Sequence, residues 1–388
     1  MTRPSVVVTD TRRVVSVVPK RQRLQLAESY PATRIVMSSV LGVLLASMTM
    51  PLALVAQARL VLRDSIVLEQ TSESYIAQPL TVTPDDGGYL VVDGQQAQVF
   101  RFDATGKLMQ RYGREGEGPG EFLEAAIALP HRSDDIIVFS WLPPAAQVFD
   151  RESGEFRARY ELQSPLEDVA LVGDRVWVSG VRYGKGTSLR RVILGGGEEA
   201  AIPLIPSEYV EGGPVGGIFP EVPFALWTDT LLVGFEPLDR LFVVSTAGVV
   251  VDTHTIPSVN RRGTPERPRE ALLEALERGP YPEVFGVLST LRDLHRRGDG
   301  SFVLVHADHE PTGPPVTSEL FVTVLDSNRR RACVDARVPL SPDAQPAVGF
   351  AGDDLLVLEQ VLVGLDAVPV LKRFAIDVSA CDWLEVRQ

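Results

Sequence analysis

The chain has 388 residues, 45% of them apolar and 23% charged, the composition of a folded globular protein and not of a disordered or polytopic membrane chain. Its 38 Lys+Arg stand against 51 Asp+Glu, a net charge of −13. That excess of acid excludes nucleic acid as an expected partner, because binding to phosphates needs a basic face.

The charge is unevenly placed. Residues 1–58 carry seven basic side chains and two acidic ones, a net of +5 that leaves −18 for the remainder. From Ile35 to Ala58 there is no charge, and the stretch ends Ala53-Leu54-Val55-Ala56-Gln57-Ala58. A basic flank, an apolar run, the helix-breaking Pro51 and an Ala-x-Ala ending form a signal-peptide pattern with cleavage after Ala58. The alternative is retention of residues 35–58 as a single anchor, since about 20 apolar residues span a bilayer. The expected organisation is a leader and signal peptide over 1–58 and one domain over 59–388, exported to the periplasm or the exterior. Membrane association is expected only if the anchor is kept.

Next comes a repeat. A tight acidic turn followed by a β-branched run reads Asp86-Gly87-Gly88-Tyr89-Leu90-Val91-Val92, then Asp134-Asp135-Ile136-Ile137-Val138-Phe139, then Gly173-Asp174-Arg175-Val176-Trp177-Val178. It continues at Asp229-Thr230-Leu231-Leu232-Val233, Asp299-Gly300-Ser301-Phe302-Val303 and Asp353-Asp354-Leu355-Leu356-Val357. Asp and Gly tolerate the left-handed angles of hairpin turns, and the runs after them suit strands buried on both faces. Short apolar runs precede most copies and further strands follow, about four strands per unit. The interval of 40 to 70 residues between copies is close to the period of propeller blades. The fold class is therefore all-β, a six-bladed β-propeller of four-stranded antiparallel blades. Leu60-Val61-Leu62 through Ile66-Val67-Leu68 has no unit of its own and is expected to close the ring by pairing into the last blade.

Over the first repeat the string Val92-Asp93, Val99-Phe100, Asp103, Gly106-Lys107, Tyr112-Gly113, Gly116 and Gly118-Pro119-Gly120-Glu121-Phe122 resembles an NHL-type repeat of bacterial six-bladed propeller proteins. The second repeat keeps Ala146-Gln147-Val148-Phe149 beside Ala97-Gln98-Val99-Phe100, and later repeats keep the strand pattern alone. The Gly-rich tail lacks the Lys-Ser/Thr ending and following helix of a phosphate loop.

Between repeats 4 and 5 the sequence from Thr264-Pro265-Glu266 to Arg278-Gly279 predicts one short helical insertion. Thr264 is its expected N-cap, and Leu272, Leu273 and Leu276 are expected to face the propeller. Arg261-Arg262, Arg296-Arg297 and Arg329-Arg330-Arg331 fall in predicted turns and read as solvating loop charge. Cys333 and Cys381 both lie in the exported part, where a disulfide persists. Two small buried apolar residues are the other reading, and the sequence leaves it open.

In a propeller the loops of one face converge on a central channel, so function is set by the residues there. Aligning the repeats places Asp93, Ser140, Ser179, Gly234, His306 and Glu359 at the ends of the marker strands, with Trp141 beside Ser140. Asp93, Ser140, Trp141, Ser179, His306 and Glu359 are the candidate ligand-binding residues at the mouth. No Ser or Cys stands in a nucleophile elbow, so the expected function is a non-catalytic binding or scaffold module without a cofactor, holding a protein segment, glycan or small ligand. The alternative is a metal-dependent hydrolase or lactonase with Asp93, His306 and Glu359 around a divalent cation. A further alternative is a membrane-anchored subunit of an envelope complex.

Overall fold

The computed structural model describes residues 57–163, 165–182, 185–209, 218–278, 286–309, 318–342, 344–364 and 366–388. The signal peptide or anchor predicted over 1–58 falls almost wholly outside them. No helix among the described residues is long and apolar enough to cross a membrane.

Six antiparallel sheets follow in chain order. The first strand, β1 (Arg59–Val67), belongs to the sheet completed last, blade I, with β22 (Ala347–Ala351), β23 (Asp354–Val363) and β24 (Asp366–Asp377). Blade II is β2 (Pro79–Asp85), β3 (Gly88–Asp93), β4 (Gln98–Asp103) and β5 (Leu108–Tyr112). Blade III is β6 (Glu124–His131), β7 (Asp135–Leu142), β8 (Ala145–Asp150) and β9 (Phe156–Glu161). Blade IV is β10 (Val169–Val172), β11 (Arg175–Arg182), β12 (Thr187–Ile193) and β13 (Gly197–Ile202). Blade V is β14 (Phe224–Trp227), β15 (Thr230–Val233), β16 (Arg240–Ser245) and β17 (Val250–Thr255). Blade VI holds β18 (Thr290–Arg296), β19 (Phe302–His309), β20 (Ser318–Leu325) and β21 (Arg331–Arg337), and gains a fifth strand, β25 (Leu384–Glu385).

The ring closes as the sequence predicted, with β1 antiparallel to β24 from Arg59↔Asp377 to Val67↔Val370. The innermost strand is the first in blades II to VI and β22 in blade I, from which β23 counts as the second: β2 packs on β22 and β6, and β14 on β18. The acidic turns make the hairpins into the second strands, with Gly87 at φ 70° and Gly352 at φ 60°, angles that cost glycine nothing.

Each second strand is covered on both faces by neighbouring blades. In β7, Ile136, Ile137, Val138 and Phe139 are all fully buried, each contributing about 1.5 to 3 kcal/mol relative to exposure. Alternation assigns them to two cores: Ile136 and Val138 pack toward blade II, Ile137 and Phe139 toward blade IV. Six such clusters fill the six seams between blades.

One helix, α1 (Pro268–Arg278), lies between blades V and VI. This is the gap between repeats 4 and 5. The count moves from blades 4 and 5 to 5 and 6 because β1 makes the composite blade the first in chain order. The helix also starts later than predicted, with Pro268 in its first turn. Thr264 instead ties the preceding loop to blade V, accepting from the Asp239 N–H at 2.7 Å and donating to the Pro237 carbonyl at 2.9 Å. Pro268, Leu272 and Ala275 form the buried face, at i, i+4 and i+7. Leu273 and Leu276, expected inward, are 41% and 39% exposed: Leu273 lies off that stripe and Leu276 at its edge.

One reading left open by the sequence is decided and one expectation is overturned. Cys333 and Cys381 form a disulfide with Cα atoms 6.0 Å apart, tying β21 to the C-terminal tail. Arg261 is not solvating loop charge: its side chain is fully buried, pairing with Asp239 and with Asp335 at 3.0 Å. Arg329 stacks over Trp227 and Arg331 over Trp383, which uses two more of the predicted loop cations as packing.

Candidate ligand-binding site

At the centre of the ring is a cavity of about 860 Å³ to which all six blades contribute. Its wall comes from the innermost strands and the residues just before them, such as Ala77-Gln78 and Gln345-Pro346. The ends of some second strands, such as Trp141 and Gln360, complete it. The volume falls within the range of small-molecule sites.

The lining is chemically divided. Blades I, II and III supply Leu80, Ile127, Trp141, Val348 and Leu362, joined by Leu320 of blade VI. Blades IV, V and VI supply Glu167, Asp168, Glu221, Arg292, Asp293 and His309. The apolar half is overlooked by the long β23–β24 hairpin. Gln360 pins that hairpin to blade II by donating its Nε2 to the carbonyls of Ile76 and Ala77, at 2.6 and 3.1 Å.

On the charged half, Arg292 reaches from β18 to two carboxylates of the neighbouring blade. Its Nη1 stands 3.2 Å from Glu221 Oε1 and 3.4 Å from Glu236 Oε1. Glu236 is nearly fully buried behind the wall. Arg292 keeps 39% of its side-chain surface, and it lines the cavity.

One guanidinium cannot balance this wall. Burial, reinforced by Glu221, pushes the Glu167 carboxyl up to about 7. Burial and Asp293 push Asp168 up to about 8, against the pull of N–H donors from Phe224 and Val169. Asp293 rises to about 6, chiefly by burial, and Glu236 rises well above the carboxylate range through burial and Glu221. His309 is held down at about 4 by burial and then by Arg292 and Arg262. Its ring is fixed between Thr290 Oγ1 at 3.1 Å and Ser318 Oγ at 2.8 Å. Enclosure gives the charged form of each group too little water, and like charges add to that cost.

Among the residues singled out in the sequence, Trp141 lines the cavity, 36% exposed. Asp93 ends β3 as expected, but Ser140, Ser179, His306 and Glu359 lie inside strands that run on to Leu142, Arg182, His309 and Val363, and all five are turned to the protein. Asp93, fully buried, accepts from the backbone N–H of Ala77, Gln78 and Gln96. Ser140 Oγ donates to the Pro143 carbonyl at 2.7 Å and holds the β7–β8 turn. Ser179 Oγ accepts from the Asp168 N–H at 3.1 Å, so it positions a cavity carboxylate without lining the cavity itself. Glu359, fully buried, accepts from the Ser341 N–H at 2.9 Å and Ser341 Oγ at 2.8 Å and pairs with Lys372. His306 is 2% exposed and its Nδ1 has no hydrogen-bond partner. Among the described residues no three His, Cys, Asp or Glu side chains form a group that could hold a metal ion.

The charged wall was missed because the alignment followed the second strand of each repeat, and the channel is lined by the first. The available signal was the acidic pair Glu167-Asp168 directly before the apolar run at Val169, and Glu221 shortly before Phe224. Interrupted apolar runs mark strands whose ends face a polar channel.

Residues 61–165 match the model of a family, DUF5128, described as a 6-bladed β-propeller. A solved DUF4221 family member from Bacteroides vulgatus superposes with a TM-score of 0.60 at 14% identity, covering 83% of this chain and 99% of its own. A protein named as exported, from Bacteroides fragilis, superposes with a TM-score of 0.58 at 10% identity, covering 82% and 95%. No curated protein matches the sequence. At such identities the likeness is one of fold, and the fold is that of a six-bladed β-propeller.

Proposed function

We propose that this propeller is an exported binding module that holds a small ligand in its central cavity. The observation that carries the reading is the divided lining: a closed ring builds an 860 Å³ cavity and places in it carboxyls whose charged forms burial and one another disfavour. Buried polar groups without full compensation are costly, and such perturbed groups in a cleft mark functional sites. Export is supported by the disulfide, which persists in oxidising compartments, by the leader pattern, and by the name of the Bacteroides fragilis structure.

The test is a thermal-shift screen of small metabolites on the full chain and on Gln345→Trp. Gln345 is an exposed loop residue at the cavity wall, so a Trp there obstructs the space without disturbing the core. At least one compound is expected to raise the melting temperature of the wild type and not of the variant. Equal shifts in both place binding elsewhere and refute the cavity as the site.

A further inference from the structure

Resting on the reading of the cavity as a ligand site, we propose that its occupant is an organic cation: an ammonium group carried on an apolar body. The division of the lining is the first support. An apolar ligand body has a matching surface in Leu80, Ile127, Val348 and Leu320, and its head then meets the wall built by blades IV, V and VI.

The second support is what that wall lacks. Arg292 is committed to Glu221 and Glu236. The Glu167 carboxylate makes no ion pair or hydrogen bond with any described residue, its backbone N–H alone donating to the Ser179 carbonyl. The Asp168 carboxylate accepts only from the backbone N–H groups of Val169 and Phe224, at 2.7 and 3.3 Å. An anionic head would face Glu167, Asp168, Glu221 and Asp293 together. A neutral head would leave their repulsion in place, and a positive head relieves it. In an enclosed site that difference is weakly screened.

A bare metal ion does not fit, since no three ligating side chains converge among the described residues. An ammonium needs no such geometry. Trp141, on the cavity wall and partly exposed, adds an aromatic face to the apolar half that receives the body of the ligand.

Loading then carries a proton signature. Glu167 and Asp168 are pushed up to about 7 and about 8, so at neutral pH the wall holds protons. The groups facing them are Glu221, Glu236, Arg292, Asp293 and His309, and only the arginine is cationic there. An entering cation lowers the carboxyls, and protons leave.

The experiment is calorimetric titration of the full chain at pH 7 with three matched probes: 4-phenylbutylamine, 4-phenylbutanol and 4-phenylbutanoate. The amine is expected to bind at least tenfold more tightly than the alcohol, and the carboxylate not measurably. Amine binding should release protons, seen as a heat that varies with the ionisation enthalpy of the buffer. Glu167→Gln is expected to weaken the amine at least fivefold and leave the alcohol unchanged, with Asp293→Asn as the second variant should the first fold poorly. Alcohol or carboxylate binding as tight as the amine overturns the charge class and leaves the cavity reading intact. Failure of all three probes to bind overturns both.

Discussion

Gly349 of β22 lies against the carbonyl of Val82 in β2, so close that a Cβ at position 349 would stand 1.9 Å from that oxygen. These are innermost strands of blades I and II, the pair that meets where the ring closes. The contact requires a residue with no side chain. Gly349→Ala is expected to destabilise the fold by about 2 to 3 kcal/mol, the scale of an overpacked core. Gly298→Ala, where the nearest atom is 3.6 Å away, is expected to change little. Urea unfolding of the two variants checks the contrast, and equal midpoints would sink it.

The disulfide closes a chain separation of 48 residues, and that interval contains three strands of blade I. Loop-closure entropy alone makes such a link worth about 4 kcal/mol. Cys333→Ala with Cys381→Ala is expected to lose up to that amount. Denaturant titration in the presence and absence of reductant should show the wild type falling toward the variant, and the variant unmoved.

Acidic pH should favour the empty protein through its channel. The carboxyls of Glu167, Asp168 and Asp293 are raised in the folded state, so the folded chain binds more protons than the unfolded one between about pH 4 and pH 8. Their contribution to stability is full below that window and is lost as pH rises through it. Glu167→Gln is expected to flatten this slope and to gain on the order of 1 kcal/mol at pH 8. Melting temperatures at half-unit pH intervals measure it, and an unchanged slope counts against the shift.

His306 titrates in the opposite sense. Burial, and secondarily Arg261, hold its pKa well below the ordinary value, so its neutral form supports the fold above about pH 6.5 and that support is lost on acidification. With Nδ1 unpaired and buried, His306→Leu is expected to be neutral or to gain about 1 kcal/mol, most at low pH. Asp93→Ala, which strands three backbone N–H groups, is expected to cost about 2 to 4 kcal/mol. Chemical denaturation at pH 5 and pH 7.5 separates these outcomes.

The architecture was legible because burial on both faces writes itself into the second strand of every blade. Runs such as Ile136-Ile137-Val138-Phe139 have no polar break, and a preceding Asp or Gly marks where each begins. The site was less legible because its residues sit on short first strands, where one face is core and the other is channel. Arg292 and Asp293 in β18 look like an ordinary polar interruption until the fold turns them to the centre. Trp141 was found because a hairpin tip is readable from its Leu142-Pro143-Pro144 sequence. Arg261 was misjudged since its partners, Asp239 and Asp335, lie 22 and 74 positions away, and no local pattern announces them.

Blade I has a consequence in time as well as in space. Its outer strand, β1, is the first part of the propeller to be synthesised, and its partner β24 is nearly the last. Five blades can assemble on the emerging chain while β1 waits with an unpaired edge, and the ring becomes a ring only after the last strands arrive. Non-local pairing of this kind is slow. A chain that cannot close its ring until its last strands are made carries β1 as an unpaired edge until then.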